Sequence, residues 1–336
     1  MRSLWFVRQG HLEWRDVPAP RLNGALEALV TPIAASSCDI DRYIVSHPSR
    51  FREPFAIGHN GVAQVVEIGD EVRSVRPGDI VAVAWHISCG QCDRCKRGLP
   101  AHCRQSAPGT SYGLPTGERW GGLFDDLVRV PYADAMLHPL PKAIDPVEFV
   151  ATSDNLTQGY AAVAPHVKAG RNRILVFGWG INGLYAVAFA RALGARAITY
   201  IDDNPANRET AIGLGAAALP GPPEPDMGPF DLVVDASLDP AWLRGVMKLL
   251  EPEGVIECIG HVNDVTLSGW QWYGKGATLH CGVCSTGPHV EAAFKAIESG
   301  VVVLSSLWSE RVAWGEDLPA TFAAHRRQLV AVRPRT

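Results

Sequence analysis

Apolar and polar positions fall into two regimes along the chain. Up to about residue 150, short apolar stretches are cut by turn signals. Ala28–Ala34, Val62–Ile68, Ile80–Val83 and Leu127–Val130 read as strands, with Gly69-Asp70 and Arg76-Pro77-Gly78-Asp79 among the turns. No helical period persists there beyond a turn or two, so a partly closed, barrel-like β domain carrying long loops is expected. The pattern changes near Thr152. Small and apolar residues recur at helical spacing from Thr152 to Ala164. Strands and helices then take turns: strand Arg173–Phe177, helix Leu184–Leu193, strand Ala197–Ile201, helix Arg208–Leu214, strand Leu232–Val234, helix Trp242–Leu250 and strand Val255–Ile259. Short apolar strands separated by helices predict a doubly wound parallel sheet, so the fold class is α/β. Pro220–Pro229 reads as a surface loop. A helix over Val290–Glu298 and a strand over Leu329–Val332 follow, and this returning segment is expected to complete the first domain.

Length and charge narrow the picture. The 336 residues suffice for two domains, each with its own core. Hydrophobic content of 47% and charged content of 20% are ordinary for a globular chain. A net charge of −4, with no block of Lys or Arg, argues against nucleic acid or an anionic membrane as partner. The opening Met1-Arg2-Ser3-Leu4-Trp5-Phe6-Val7-Arg8 reads as a strand rather than a signal peptide, and no apolar run is long enough to span a bilayer. A cytoplasmic location is therefore expected.

Three groups of residues carry candidate chemistry. Cys89, Cys92, Cys95 and Cys103 sit at spacings of three, three and eight. Four thiolates in one loop match the tetrahedral preference of zinc and leave no open position, which is the pattern of a structural site. Two disulfides or free buried thiols are the alternative. Gly178-x-Gly180-x-x-Gly183 follows a strand and opens a helix, with Ile181 and Asn182 inside the motif. Such glycines let backbone N–H groups approach a pyrophosphate. Asp202 ends the next strand and can accept from ribose hydroxyls; with Asp203 beside it, a 2′-phosphate would meet like charges, so NAD(H) is favoured over NADP(H). Arg208 is the one feature pointing the other way. Finally, Cys38, His59 and Asp154 offer a sulfur, a nitrogen and an oxygen, and three protein donors with one open position is the arrangement of a catalytic zinc. Taken singly, Cys38 also reads as a core thiol and Asp154 as a helix cap.

Assembled, these residues resemble the zinc-dependent medium-chain dehydrogenase/reductase family, of the alcohol dehydrogenase type. The resemblance rests on the four-cysteine lobe, the Cys38-to-His59 separation, the stretch from Gly61 to Gly78-Asp79, and the glycine motif with Asp202. It implies a GroES-like β-rich catalytic domain from residues 1–151 and 291–336, with a zinc lobe at about 86–106, and a Rossmann domain over 152–290. It also implies a cleft between them as the active site, two Zn2+ per chain, a small-molecule substrate, and a homodimer or homotetramer. On the family pattern Cys38, His59 and Asp154 hold the catalytic zinc, Trp85 walls the substrate pocket, Trp120 falls near a second pocket position, and Gly260 and His261 lie where the chain passes the nicotinamide. Three positions depart from it. Ile40 stands where Ser or Thr usually takes the substrate proton. Tyr43 stands where a His often completes the relay. Asn60 stands where Glu usually follows the ligand histidine.

The function expected is hydride transfer between NAD(H) and an alcohol or carbonyl substrate, apolar or aromatic given the two tryptophans, with Tyr43 or water as the proton's exit. The missing relay also fits a reductase of an activated C=C or C=N bond. A zinc-stabilised nucleotide-binding protein without catalysis is a third class, against which the three-donor set argues.

Overall fold

The computed structural model describes the chain apart from residues 49–50, 52, 238, 261–263, 303–306, 308–309, 326–327 and 335–336. Two compact units emerge. The first comprises Met1–Thr157, Ser285–Gly300 and Trp308–Thr336, and the second Gln158–Cys284 and Val301–Leu307.

The first unit is built on a sheet whose neighbouring strands run Glu310–Ala313, Leu329–Val332, Ala28–Ser36, Asn60–Ile68, Ile80–Val83 and Leu137–Pro139, with Val128–Val130 also paired to Ala28–Ser36. The C-terminal strand enters antiparallel to Ala28–Ser36, with Val330 opposite Ser36, so the end of the chain completes the sheet begun near its start. A second sheet joins Arg2–Arg8, His11–Asp16 and Phe55–Ala56. Leu4, Phe6, Val30, Val65, Val83, Phe124, Phe322 and Leu329 fill the core that these strands enclose. Each fully buried side chain of that size removes roughly 1.5–3 kcal/mol worth of apolar surface from water.

The second unit holds six parallel strands in the order Ala217–Leu219, Ala197–Ile201, Arg173–Phe177, Phe230–Asp235, Leu250–Cys258 and Thr278–Cys281. The central strand Arg173–Phe177 is apolar and buried from its second residue on, as expected where helices cover both faces. The strand order reverses beside it, between Ala197–Ile201 and Phe230–Asp235, which is the switch point of a doubly wound sheet.

Two expectations need correcting. The β-rich region contains a true helix, Asp39–Ser46, which eight residues of mixed polarity did not announce. The helix expected over Trp242–Leu250 stops early. Pro240–Gly245 is helical, Val246–Lys248 makes a 3-10 turn, and Leu250 already pairs with Phe230. The register then jumps so that Leu232 meets Val255, and the excursion contains Glu253 at φ 59°. Sheet pairing of a fully buried Leu250 outweighs the local helical pattern.

Candidate metal centre and nucleotide site

The three-donor set is assembled by strand pairing. Ala28–Ser36 and Asn60–Ile68 run antiparallel with Ser36 opposite Asn60. Cys38, just beyond the end of one strand, and His59, just before the start of the other, are therefore delivered to the same end of the sheet. Gly58 takes φ +100° in the turn before His59, and a Cβ there would collide with the Phe124 ring. Only glycine meets both demands. Cys38 is also the N-cap of helix Asp39–Ser46, and its N–H donates to Asp41 Oδ2 at 2.8 Å.

Asp154 arrives from far along the chain, in the turn before helix Asn155–Lys168. The start of the Asn60 strand grips its two neighbours. Gly61 N donates to Ser153 Oγ at 3.1 Å, and Asn60 Nδ2 donates to Asn155 Oδ1 at 2.5 Å. Thr286 Oγ1 donates to the Ser153 carbonyl at 3.0 Å. The result is a buried trio, Cys38, His59 and Asp154, whose donor atoms all lie within 4.8 Å of one another. His59 Nε2 is 3.4 Å from Asp154 Oδ2.

Behind the histidine lies a residue the sequence reading missed. Asp41 Oδ1 is 3.7 Å from His59 Nδ1, and Asp41 is wholly buried. At 3.7 Å the contact is one of charge rather than a hydrogen bond, and it favours the proton on Nδ1, leaving Nε2, the nitrogen nearer Asp154, for a metal. The signal was available in Cys38-x-x-Asp41, the spacing of a helix capping box. The electrostatics of the group call for a cation. Burial pushes the Cys38 thiol well above its usual range, and the Asp154 and Asp41 carboxylates push it further. Burial likewise raises Asp41. Burial alone would lower His59, but Asp41 and Asp154 together hold it above the ordinary imidazole value. Two carboxylates and a thiol sharing one dry site repel each other as anions, and a divalent ion offsets that cost. One soft sulfur, one imidazole and one carboxylate suit zinc. The donor set fits the metal.

The surrounding positions divide. The Trp85 ring centroid lies 5.3 Å from that of His59, so this aromatic flanks the trio. Ile40 packs against the apolar core. Tyr43 stacks on His47 at 4.5 Å. Trp120 packs on the core, lies under Arg129 at 4.7 Å, and donates from Nε1 to Glu118 at 3.2 Å.

The four-cysteine loop also closes on itself. The sulfurs of Cys89, Cys92, Cys95 and Cys103 lie within 4.8 Å of one another, and none forms a disulfide. Backbone N–H groups point at them: Cys92 N at Cys89 Sγ (3.4 Å), Cys89 N and Gln105 N at Cys103 Sγ (3.3 Å each), and Arg104 N at Cys92 Sγ (3.5 Å). The Arg104 amide, followed by that of Cys95, lowers Cys92 to about 6. Burial raises Cys89 and Cys95 instead, so the amides favour the thiolate at Cys92 and a cation would have to supply that preference at the two others.

In the second unit the glycine motif stands between strand Arg173–Phe177 and helix Ile181–Ala192, with Gly180 as the helix N-cap. Ile181 and Asn182 form its first turn, both buried. A Cβ on Gly178 would strike Tyr200, and one on Gly183 would sit 3.2 Å from the Gly178 Cα, so strand and helix pack closely only with glycine at both. Asp202 is more occupied than expected. Its Oδ2 accepts from Tyr200 Oη (2.7 Å) and Asn207 Nδ2 (2.8 Å), and its Oδ1 from Asn204 N (2.8 Å). Asp203 Oδ1 accepts from Gly221 N at 2.9 Å. Arg208 Nη1 donates to the carbonyls of Asp202 and Asp203, at 2.7 and 2.9 Å. Gly260 follows Ile259, whose carbonyl accepts from Gln158 Nε2 at 2.9 Å. His261 lies outside the described residues.

Comparison with known proteins relates the chain to alcohol dehydrogenases. Residues 24–142 match the model of the alcohol dehydrogenase GroES-like domain. The chain is 28% identical over 266 residues to a "Probable zinc-binding alcohol dehydrogenase" of Mycobacterium tuberculosis, an alignment covering 77% of this chain and 68% of that one. It is 29% identical over 271 residues to an L-threonine 3-dehydrogenase of Caldanaerobacter subterraneus subsp. tengcongensis, covering 76% and 75%. The solved alcohol dehydrogenase TADH from Thermus sp. ATN1 superposes with a TM-score of 0.90 at 26% identity, covering 99% of this chain and 100% of that one.

Proposed function

The chain belongs to the zinc-dependent medium-chain dehydrogenase/reductase family, of the alcohol dehydrogenase type, and from that we propose that it interconverts an alcohol and a carbonyl compound at Cys38, His59 and Asp154. It is a zinc-dependent oxidoreductase. The observation that carries the assignment is the convergence of one sulfur, one nitrogen and one oxygen donor, all buried, within 4.8 Å.

Zinc held there supplies Lewis-acid polarisation of a substrate oxygen, and a bound nicotinamide nucleotide supplies or takes the hydride. The chain's own residues do the rest. Cys38 and Asp154 carry the negative charge that retains a dication. Asp41 orients the His59 ring. Trp85 offers an apolar wall beside His59, which favours a substrate with an apolar or aromatic body. Ile40 carries no proton, so the proton leaves by another route, with Tyr43 or water as its carrier. The four cysteines hold a second zinc that folds their loop and leaves no open position for substrate. The glycine turn takes the nucleotide's pyrophosphate, and Asp202 with Asp203 favours NAD(H) over NADP(H). Asp202 does so chiefly as a fixed negative charge, because three donors already occupy it. Nothing observed favours reduction of a C=C or C=N bond. We further infer a cytoplasmic homodimer or homotetramer.

Asp154→Ala tests the assignment. Metal analysis should fall from two zinc ions per chain to one, and turnover should fall by more than the about 100-fold that loss of an outer-shell partner produces. Unchanged zinc content with unchanged turnover over alcohols and aldehydes would overturn it. Titration of the protein with NADH and NADPH, followed by nicotinamide fluorescence, tests the cofactor preference, and tighter binding of NADPH would reverse it.

A further inference from the structure

Asn60 and Asn155 form a chain of amide donors that ends on Cys38. Asn60 Nδ2 donates to Asn155 Oδ1 at 2.5 Å, and Gln328 Nε2 donates to the same oxygen at 3.2 Å. On its other side Asn155 Nδ2 donates to Cys38 Sγ at 3.1 Å. These side chains are sealed from water, with exposures of 0% for Asn60 and Asn155, 2% for Gln328 and 7% for Cys38. Gln328 Nε2 also reaches Ser36 Oγ at 3.2 Å and the Ser37 carbonyl at 3.3 Å, at the strand end that leads into Cys38.

Two donors on one amide oxygen settle which end of Asn155 faces the sulfur. Turned around, its NH2 would face two other NH2 groups and its oxygen would face Cys38. As it stands, an N–H is aimed at the sulfur, and the thiolate is the form of cysteine that best accepts it. The direction of the whole chain depends on Asn60. A carboxylate at that position accepts rather than donates, which would leave Asn155 without its principal partner in this orientation.

We propose that Asn60, Asn155 and Gln328 are positioning residues that orient the Cys38 thiolate and draw charge away from its sulfur, so setting how strongly it donates to the metal. This rests on the reading that Cys38, His59 and Asp154 hold zinc. It gives Asn60 a purpose of its own. With one thiolate and one carboxylate already on the metal, a neutral donor network moderates the sulfur without adding a further negative charge.

Cobalt(II) in place of zinc provides the test, because the energy of the sulfur-to-cobalt charge-transfer band reads the charge on the sulfur independently of turnover. In Asn155→Leu, similar in volume but unable to donate, the band from the three-donor site should move to lower energy. In the nearly isosteric Asn60→Asp, the new carboxylate should take the Asn155 NH2 and turn the amide oxygen towards the sulfur, moving the band further in the same direction. The four-cysteine loop is the internal standard, and its bands should not move. Should Asn155→Leu fail to fold, Asn60→Asp decides alone. A band in the wild-type position in folded variants holding both cobalt ions would overturn the proposal. A wild-type protein that takes cobalt in the four-cysteine loop only would instead overturn the metal reading beneath it.

Discussion

The four-cysteine loop and the Cys38, His59 and Asp154 set both bring their donor atoms within 4.8 Å, yet the chain reaches that distance by different routes. In the loop, the outermost donors are 14 residues apart and the supporting N–H groups come from the same short segment. Cys92 and Cys95 remain partly exposed. In the three-donor set, Cys38 and its partner Asn155 are 117 residues apart, and every donor is buried. A loop with little core of its own gains its fold from the ion. A set gathered by sheet pairing has its backbone in place already, so the ion adds stability by binding the native state but is not needed to order the site.

Paired substitutions sharpen this contrast most. Cys38→Ala should abolish turnover while leaving residues 89–103 as resistant to protease as in wild type, because the sheet that brings the three donors together does not depend on the ion for its fold. Cys103→Ala should do the reverse, opening residues 89–103 to protease while the three-donor site keeps its zinc. Limited proteolysis with metal analysis distinguishes the two, and loss of both zinc ions in Cys103→Ala would mean that the two clusters are one cooperative structure. A smaller effect belongs to Asp41→Asn, which should weaken metal retention at the three-donor site by about 10- to 100-fold and leave the loop untouched. Competition with a chromogenic chelator reads both sites in one experiment.

The mildest effect concerns acid. Burial, with Arg42 adding to it, pushes His325 down to about 4. The native state keeps this imidazole neutral, with Nδ1–H donating to the Phe322 carbonyl. The unfolded chain takes up a proton near the ordinary histidine value of about 6.5. Between those values the unfolded state binds more protons, so stability is full above about 6.5 and is lost as pH falls towards 4. The group contributes at most about 3 kcal/mol to that loss. His325→Phe should flatten the dependence of the urea midpoint over this window, separating the framework's acid sensitivity from proton competition at the metal donors. An unchanged slope would assign the sensitivity elsewhere.

The sequence showed the two clusters unequally. Cys89, Cys92, Cys95 and Cys103 could be read directly because short spacing is itself the geometry. Cys38, His59 and Asp154 became visible only together, since no local pattern says that Ser36 pairs with Asn60. Asn155 was passed over beside Asp154, and Gln328 gave no signal, because its partners come from the opposite end of the chain. The strand–helix alternation identified the parallel sheet and its four inner strands from periodicity, but not the short edge strands Ala217–Leu219 and Thr278–Cys281. It failed at Leu250, where a buried partner across the sheet decided what the local pattern left open. Asp202 was found as an acid at a strand end, but its three internal donors could not be counted from sequence.

The grip of Asn60 and Gly61 falls on Ser153 and Asn155, while Asp154 between them is held through its backbone, its N–H donating to the Ala151 carbonyl at 3.4 Å. Position 154 is in this sense a socket, with its mounting supplied by its neighbours and its contents replaceable. A cysteine placed there would inherit the same backbone path towards His59. Donor chemistry at this centre can therefore drift by single substitutions while the architecture around it stands still.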